Sequence, residues 1–517
     1  MDAIEQLKQD VREGRIDPER LVELTVSLQR QLQTATQQLQ TATQQLHEAN
    51  RRIEEFEKQS GGPGPTATKL EQPFSMRAEE KRQEARGKNK KRKKKNKSRR
   101  GRVTTAEKIA QAQRHEQVFP EGVTKSECQE SHVRPVWRLE NGHAVLIAYH
   151  IYRGPGNQYG KIPGVLGRSE FGLEIILETA YLVYVVGLSF DKVCALLRFF
   201  QELRLGKAQA DALLHRLARH WQKEFDVLCT LLANSLVVHA DETSWSLHSA
   251  WAFLSEKARL LFFGVHKDAA TLHKILDPTS FAGLVVSDDA AIYANFSNAQ
   301  KCWAHLLRKA IKLTLQEADN AEYRDFTDRL LEIYHRACRV QGDGRLGDQG
   351  RSRKVADLQD AIMELCASMW LADLPPLPDG PANDYRLLVN ELMRLMLDQQ
   401  LFRFVTSPPT TQPNGASQAA AGTNNEAERT LRGAAQARAT GRTNKTLAGA
   451  RRQTIVHSVL ESLRLYLPHF TLTSVLTEVQ HWLEVGHSCF VALLASLKLK
   501  VADQSILDQV YPCPDGS

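Results

Sequence analysis

Two short apolar runs, each ending in a pair of acids, constrain this chain more than any other feature. Ser235–Trp245 reads SLVVHADETSW, so Leu236-Val237-Val238 leads into Asp241-Glu242. Gly283–Asp289 reads GLVVSDD and closes on Asp288-Asp289. Runs this short and this rich in valine form buried strands. A carboxylate just past the end of such a strand is held by a rigid element at the rim of a sheet, where a metal-binding constellation can be pre-organised. Between the two runs lie Ala250–Leu254 (AWAFL) and Arg259–Val265 (RLLFFGV), two more strands joined by Ser255-Glu256-Lys257-Ala258. A helical stretch follows at Ala269–Leu276.

Three meandering strands, a helix and a further strand is the order of an RNase-H-like core. In that α/β arrangement the first and fourth strands are neighbours, which predicts Asp241 beside Asp288 at one edge of the sheet. Another acidic element lies downstream. Asn424–Thr446 (NNEAERTLRGAAQARATGRTNKT) reads as a helix start, with Asn424 or Asn425 as N-cap and Glu426 and Glu428 in the first turn, where carboxylates suit the helix dipole. Phosphodiester cleavage and strand transfer are in-line displacements that build charge on attacking and leaving oxygens. Two divalent ions roughly 4 Å apart stabilise both. Magnesium takes oxygen ligands and keeps several waters, so two Asp on adjacent strands and one acid on a facing helix make a minimal cage.

The flanking segments read as follows. In residues 1–58, Leu32, Leu39, Leu46 and Ile53 recur every seven positions, offset by three or four from Leu28, Ala35, Ala42, Ala49 and Phe56. Both sets lie on one coiled-coil seam and predict self-association. Residues 59–115 form a linker that begins SGGPGP and carries Arg86–Arg102, with twelve Lys or Arg and no acid. Such a block repels itself and stays disordered until it meets an anion, here nucleic-acid phosphate. Residues 116–165 are a small β-containing module around His143–Arg153 (HAVLIAYHIYR); Cys128 and His132 within it are too few for a zinc site. Residues 166–232 are helical. Phe190–Phe200 and Lys207–Trp221, joined by a turn at Gly206, fit a groove-reading helix-turn-helix and an ordinary helical hairpin equally well.

The catalytic domain spans 233–470, with a helical insertion at about 310–400 broken at Gly342–Arg353 and Leu374–Asp384. Before the insertion, Lys301–Lys309 (KCWAHLLRK) puts Cys302 and His305 on one helix face, a conceivable metal pair lacking a further nearby ligand; Cys302 and Trp303 are expected to pack. Ser407–Thr423 is low in complexity and expected to be a mobile loop. Residues 471–517 are a C-terminal helical tail.

Composition narrows the class. The net charge is +8, and removing the twelve charges of the basic tract leaves 8 − 12 = −4 for everything else. The basicity therefore belongs to one segment. Eight cysteines without a C-x-x-C pair exclude a disulfide framework and a zinc ribbon. The polar N-terminus MDAIEQLKQD is no signal peptide, and Ala180–Leu188 is too short to span a bilayer. A soluble, cytoplasmic protein without membrane partners is expected.

HADETSW, SDDAAIY (Ser287–Tyr293), CWAHLLRK and NNEAER resemble, in order and spacing, the transposases of the insertion sequence 66 family. The likeness covers about 235–465, and the upstream coiled coil, basic linker and helical DNA-binding region are similar to that family's architecture. It implies an RNase-H-like fold with an Asp-Asp-Glu triad, in a prokaryotic, nucleoid-associated enzyme that cleaves and transfers DNA strands at the ends of an insertion sequence. By the family pattern the catalytic and metal-binding residues are Asp241, Asp288 and Glu428; Glu426 and Asp289 fall on positions outside it. The implied cofactor is Mg²⁺ or Mn²⁺, two ions, and no zinc. Partners are element-end and target DNA and a second copy of the chain. DNA-binding candidates are His305, Arg308, Asn425, Arg429, Arg442 and Lys445, with Lys90, Lys91, Arg92 and Lys93 of the basic tract. One departure stands out: many members carry a cysteine-paired zinc module after the coiled coil, and this chain has no C-x-x-C. The competing readings are a repurposed, non-catalytic DNA-binding scaffold and, more weakly, a generic RNase-H-like nuclease.

Overall fold

The computed structural model describes residues 103–370 and 378–511. The expected coiled coil and the basic tract, with Lys90, Lys91, Arg92 and Lys93, lie outside the described residues.

Three strands, β1 (Arg114–Val118), β2 (Gln129–Glu140) and β3 (His143–Arg153), form a small sheet in the order β1-β3-β2. Asn141 and Gly142 turn the β2–β3 hairpin, both with positive φ, as a two-residue hairpin of this handedness requires. Just before β2, Cys128 Sγ donates to the Thr124 carbonyl, and on β2 His132 meets Ser131. Helix α1 (Lys207–Ala233) follows a shorter helix at Phe190–Gln201. Leu213, Leu214, Leu217, Trp221, Phe225 and Leu228 of α1 are buried, so this long helix is a core element under the main sheet.

The main sheet contains β4 (Val237–Ser244), β5 (Ser249–Ser255), β6 (Arg259–Val265), β7 (Leu284–Ser287) and β8 (Ala299–Lys301), in the order β6-β5-β4-β7-β8. The first three form an antiparallel meander, and β7 runs parallel to β4 with Val237 opposite Leu284, Val238 opposite Val285 and His239 opposite Val286. Continuing that register by two residues brings Asp288 level with Asp241. One expectation needs correcting: β4 does not stop before the acids. Asp241 and Glu242 are strand residues paired with Ala252 and Trp251 of β5. The buried partner strand supplies backbone hydrogen bonds that carry the ladder past the apolar run.

Because side chains alternate across a strand, the sheet separates two cores. Val238 and Ala240 join the core that includes α1 and the C-terminal helices. Val237, Leu284 and Val286 join the other, built on the helical insertion. The insertion comprises α2 (Trp303–Gln316) and helices at Ala321–Gly342, Asp348–Trp370 and Pro381–Leu397. Its first break is shorter than the composition suggested, since the helix after Gly342 already starts at Asp348. Both ends of the insertion meet at one stem. Trp303 Nε1 and Gln300 Nε2 donate to the Leu401 carbonyl at 2.7 and 2.9 Å, and Lys301 N donates to the Gln400 carbonyl at 2.8 Å.

Beyond the stem, Ser407–Thr423 is docked and not a free loop. A hairpin pairs Thr410–Thr411 with Ser417–Gln418, Ala420 is buried, and the Gly422 carbonyl accepts from Trp303 N at 3.0 Å. A Cβ on Gly422 would meet the Phe404 ring at 3.0 Å, so glycine at this position lets the segment pass close to an aromatic side chain.

Helices α3 (Asn425–Ala439) and α4 (Leu447–Tyr466) complete the frame. The outer edge of β6 is covered by α4 through hydroxyl groups. Arg259 N, Leu261 N and Phe263 N donate to Ser462 Oγ, Ser458 Oγ and Thr454 Oγ1 at 3.0, 2.9 and 3.0 Å. Ser458 and Ser462 donate back to the Leu261 and Arg259 carbonyls. Four helical residues rise ~6.0 Å and two strand residues ~6.8 Å, so hydroxyls at every fourth helical position keep step with alternate strand residues. Among the described residues no helix is long and apolar enough to cross a membrane.

Candidate active site

The face that β4 and β7 turn towards the insertion carries the candidate carboxylates. Asp241 shares that face with Val237 and His239, whereas Glu242 points to the other side. There Glu242 accepts from Tyr293 Oη at 2.5 Å and pairs with Lys267 at 2.7 Å. Neighbouring acids thus have opposite environments: Glu242 is fully partnered, and Asp241 is not. Burial is the main cause that pushes Asp241 up to about 7 from an ordinary value near 3.8; Glu242, Glu428 and Asp288 add to it electrostatically. Such a shift marks a carboxylate held among other negative charges without enough positive charge.

Asp288 follows β7 directly, and its Oδ1 accepts from Ala290 N at 3.1 Å. Asp289 turns away to an ion pair with Arg394 of the insertion. Lys301, buried at the end of β8, donates to the Asp288 carbonyl at 3.0 Å. Burial pulls the Lys301 ammonium down, against the pull of Asp289 and Asp288.

Helix α3 brings in Glu428. Its Oε1 accepts from Arg308 Nη2 at 2.7 Å and lies 3.7 Å from His305 Nδ1. Glu426, in the same turn, is drawn to Arg259 at 2.6 Å. The two glutamates therefore part: one joins the Asp241 neighbourhood, and the other is spent on the β6 edge. Asn424 locks this arrangement. It is fully buried, and its Nδ2 donates to the Ala240 carbonyl at 2.7 Å, immediately before Asp241. Its backbone N–H donates to Cys302 Sγ at 3.1 Å, and its carbonyl accepts from Glu428 N at 3.1 Å. Asn424 is the N-cap of α3 by position, but its side chain makes no capping bond; it fastens α3 to β4 instead.

The remaining candidates divide. His305 and Arg308 are at the site and face Glu428. Asn425 and Arg429 are exposed on α3. Arg429 and Arg442 line a separate cavity of about 530 Å³ with Trp245 and Asn444. Arg442 Nη1 is bound to the Gly187 carbonyl at 2.6 Å, and Lys445 Nζ to Thr443. A cleft of about 580 Å³ opens beside the carboxylates between Asp288, Cys302, His305 and the insertion residues Glu391 and Arg394. Sequence reasoning missed Asn424 as a clamp, Lys301 and Arg394. The doubled asparagine was the one available signal, and it read as a choice of caps.

Glu428 and Asp288 both act electrostatically on Asp241, so the three carboxylates share one neighbourhood. Cys302, His305 and Glu428 form the one group of His, Cys, Asp or Glu ligand atoms among the described residues compact enough to hold a metal by proximity alone.

No curated protein matches the chain. The family model described as Transposase IS66 family matches residues 168–452, more than half of the 517 residues. That span contains the whole main sheet, the insertion, α3 and the carboxylates just described, and the chain belongs to the IS66 family of transposases.

Proposed function

We propose that this protein is an active DNA transposase with an RNase-H-like core, in which Asp241, Asp288 and Glu428 bind two Mg²⁺ or Mn²⁺ ions and support strand cleavage and strand transfer at insertion-sequence ends. The observation that carries the reading is the electrostatic influence of Asp288 and Glu428 on a half-buried Asp241 whose carboxyl is pushed up to about 7. Bound metal supplies an activated water, then an activated 3′-hydroxyl, and stabilisation of the leaving oxygen.

The chain's own part is placement. Asp241 and Asp288 present oxygens from two adjacent strands. Glu428 presents one from α3, at a position tied to β4 through Asn424. Arg308 neutralises Glu428 and would be free to meet a phosphate if Glu428 held the ions. Arg429, Arg442, Lys445 and Asn425 contribute to holding DNA backbone. The 86–102 tract adds salt-sensitive DNA affinity, and the 1–58 coiled coil pairs two copies so that both element ends are held together. The segments divide as 1–58, 59–115, 116–165, 166–232, 233–470 and 471–517. The enzyme acts on nucleoid DNA in the cytoplasm.

The test is metal-dependent nicking of an element end by the full-length protein, its Asp241→Asn and Glu428→Gln variants, and Glu426→Gln. Loss of nicking in the first two and retention in the third is expected. Undiminished cleavage by Asp241→Asn or Glu428→Gln would sink the assignment and leave a DNA-binding scaffold as the reading.

A further inference from the structure

We propose that Cys302, His305 and Glu428 form a second metal site, selective for a thiophilic divalent cation such as Zn²⁺, and that an ion held there withdraws Glu428 from Asp241 and Asp288. The binding claim stands on the cluster itself; the withdrawal claim rests on the reading of Glu428 as the third catalytic carboxylate.

The sulfur, a ring nitrogen and a carboxylate oxygen lie within 4.8 Å of one another. His305 Nδ1 is 3.7 Å from Glu428 Oε1. Two ligands ~2.1 Å from a tetrahedral zinc ion stand ~3.4 Å apart, so closing the site asks for side-chain adjustments and no backbone movement. Mixed sulfur, nitrogen and oxygen ligands favour zinc over magnesium, which seeks oxygens alone. Three protein ligands leave a fourth position for water.

Two further observations point to a ligand. His305 Nδ1 is a buried atom that makes no hydrogen bond, and Glu428 Oε1, at 3.7 Å, is too far to supply one. Cys302 Sγ already accepts the Asn424 N–H at 3.1 Å, the kind of outer contact that supports a metal-bound thiolate. The ion has a route in, because Cys302 and His305 line the 580 Å³ cleft. It must displace Arg308 from Glu428; that guanidinium is half exposed and can return to solvent. An ion here competes directly with the Asp pair for one carboxylate.

The test uses Co²⁺ as an optical probe with the full-length protein. One equivalent is expected to give a near-ultraviolet thiolate-to-cobalt band and the intense visible bands of a four-coordinate ion, both removed by Zn²⁺. Cys302→Ser should lose the thiolate band. His305→Ala should weaken Co²⁺ binding by at least about tenfold, a loss that removal of even an outer-shell partner brings. Asp241→Asn should keep the full spectrum, because Asp241 is not a ligand; this readout needs no nicking activity and so separates the site from the proposed function. A wild-type protein with no thiolate band, or a band that survives Cys302→Ser, overturns the site. If Cys302→Ser does not fold, unchanged Co²⁺ affinity in both His305→Ala and Glu428→Gln overturns it instead. Nicking in Mg²⁺ that is indifferent to saturating Zn²⁺ overturns the withdrawal.

Discussion

Two polar clusters lie on the same five-stranded sheet, one at its edge and one at its centre. At the β6 edge, Thr454, Ser458 and Ser462 meet three backbone N–H groups, and Ser458 and Ser462 return bonds to two carbonyls. At the centre, a half-buried Asp241 feels the charges of Glu242, Glu428 and Asp288. The edge is a satisfied network, and satisfied buried networks stabilise and specify a fold. The centre concentrates like charge in a partly dry place, which costs stability and is tolerated where a ligand will relieve it. Burial and polarity alone do not separate structural from functional polar residues here; what separates them is whether partners within the chain are complete.

The largest effect should come from breaking the centre. Asp241→Asn is expected to lower nicking by about a thousandfold or more, on the order of 4 kcal/mol of barrier, and to raise the stability of the metal-free protein. The sign follows from the shift. The folded protein keeps a proton on Asp241 that the unfolded chain has released, so Asp241 lowers stability as pH rises from about 4 through about 7, and the loss is complete above that. The variant removes a penalty on the order of 4 kcal/mol at most. Thermal melts in chelator should show its gain at pH 8 and a smaller one at pH 5. A variant no more stable than wild type at pH 8 would mean that Asp241 is not strained.

Next is the clamp between the clusters. Asn424→Ala leaves the buried Ala240 carbonyl without its donor, a cost of ~1–3 kcal/mol, and frees α3 from β4. Nicking should fall through kcat with little change in KM for DNA; an effect on KM alone would count against a positioning role.

Breaking the edge should do the converse of breaking the centre. Ser458→Ala orphans the Leu261 N–H and should cost ~1–3 kcal/mol by denaturant unfolding, while nicking per folded molecule stays unchanged. Reduced activity in fully folded protein would blur the distinction. The smallest effect is expected for Arg308→Ala, whose ion pair is half exposed. Stability should change by less than ~1 kcal/mol, measurable as a shift of melting temperature, and Mg²⁺ should bind no more weakly because a competitor for Glu428 is gone.

Much of the sheet was legible in the sequence because its strands are apolar runs of valine and leucine with acids at their ends. The pairing of the first strand with the fourth followed from their order, and the register of Val237, Val238 and His239 against Leu284–Val286 agrees. The extension of β4 through Asp241 was not legible, since nothing local to HADETS says that β5 continues alongside it. Strand β8 is three residues long and was hidden before a helix. Thr454, Ser458 and Ser462 are spaced four apart in plain view, but such spacing reads as the solvent face of a helix until a strand edge is known to lie there. The Cys302–His305 pair was visible and its third neighbour was not, because Glu428 arrives from beyond the whole insertion. Asn424 was read as a cap, the role its position suggests; its side chain is claimed by a carbonyl on another element.

The stem where the insertion begins and ends has a topological consequence. Trp303 and Gln300 both grip the Leu401 carbonyl, so about a hundred residues leave the sheet and return to nearly the same point. The helices in between form a closed excursion, and their number and length are decoupled from the separation of Asp288 and Glu428. Closure entropy grows only with the logarithm of the excursion's length, so lengthening or trimming the helices is nearly free so long as the stem holds. The stem thus acts as a grafting point: it lets the helical insertion diversify by gain and loss of residues while the carboxylates stay at fixed positions.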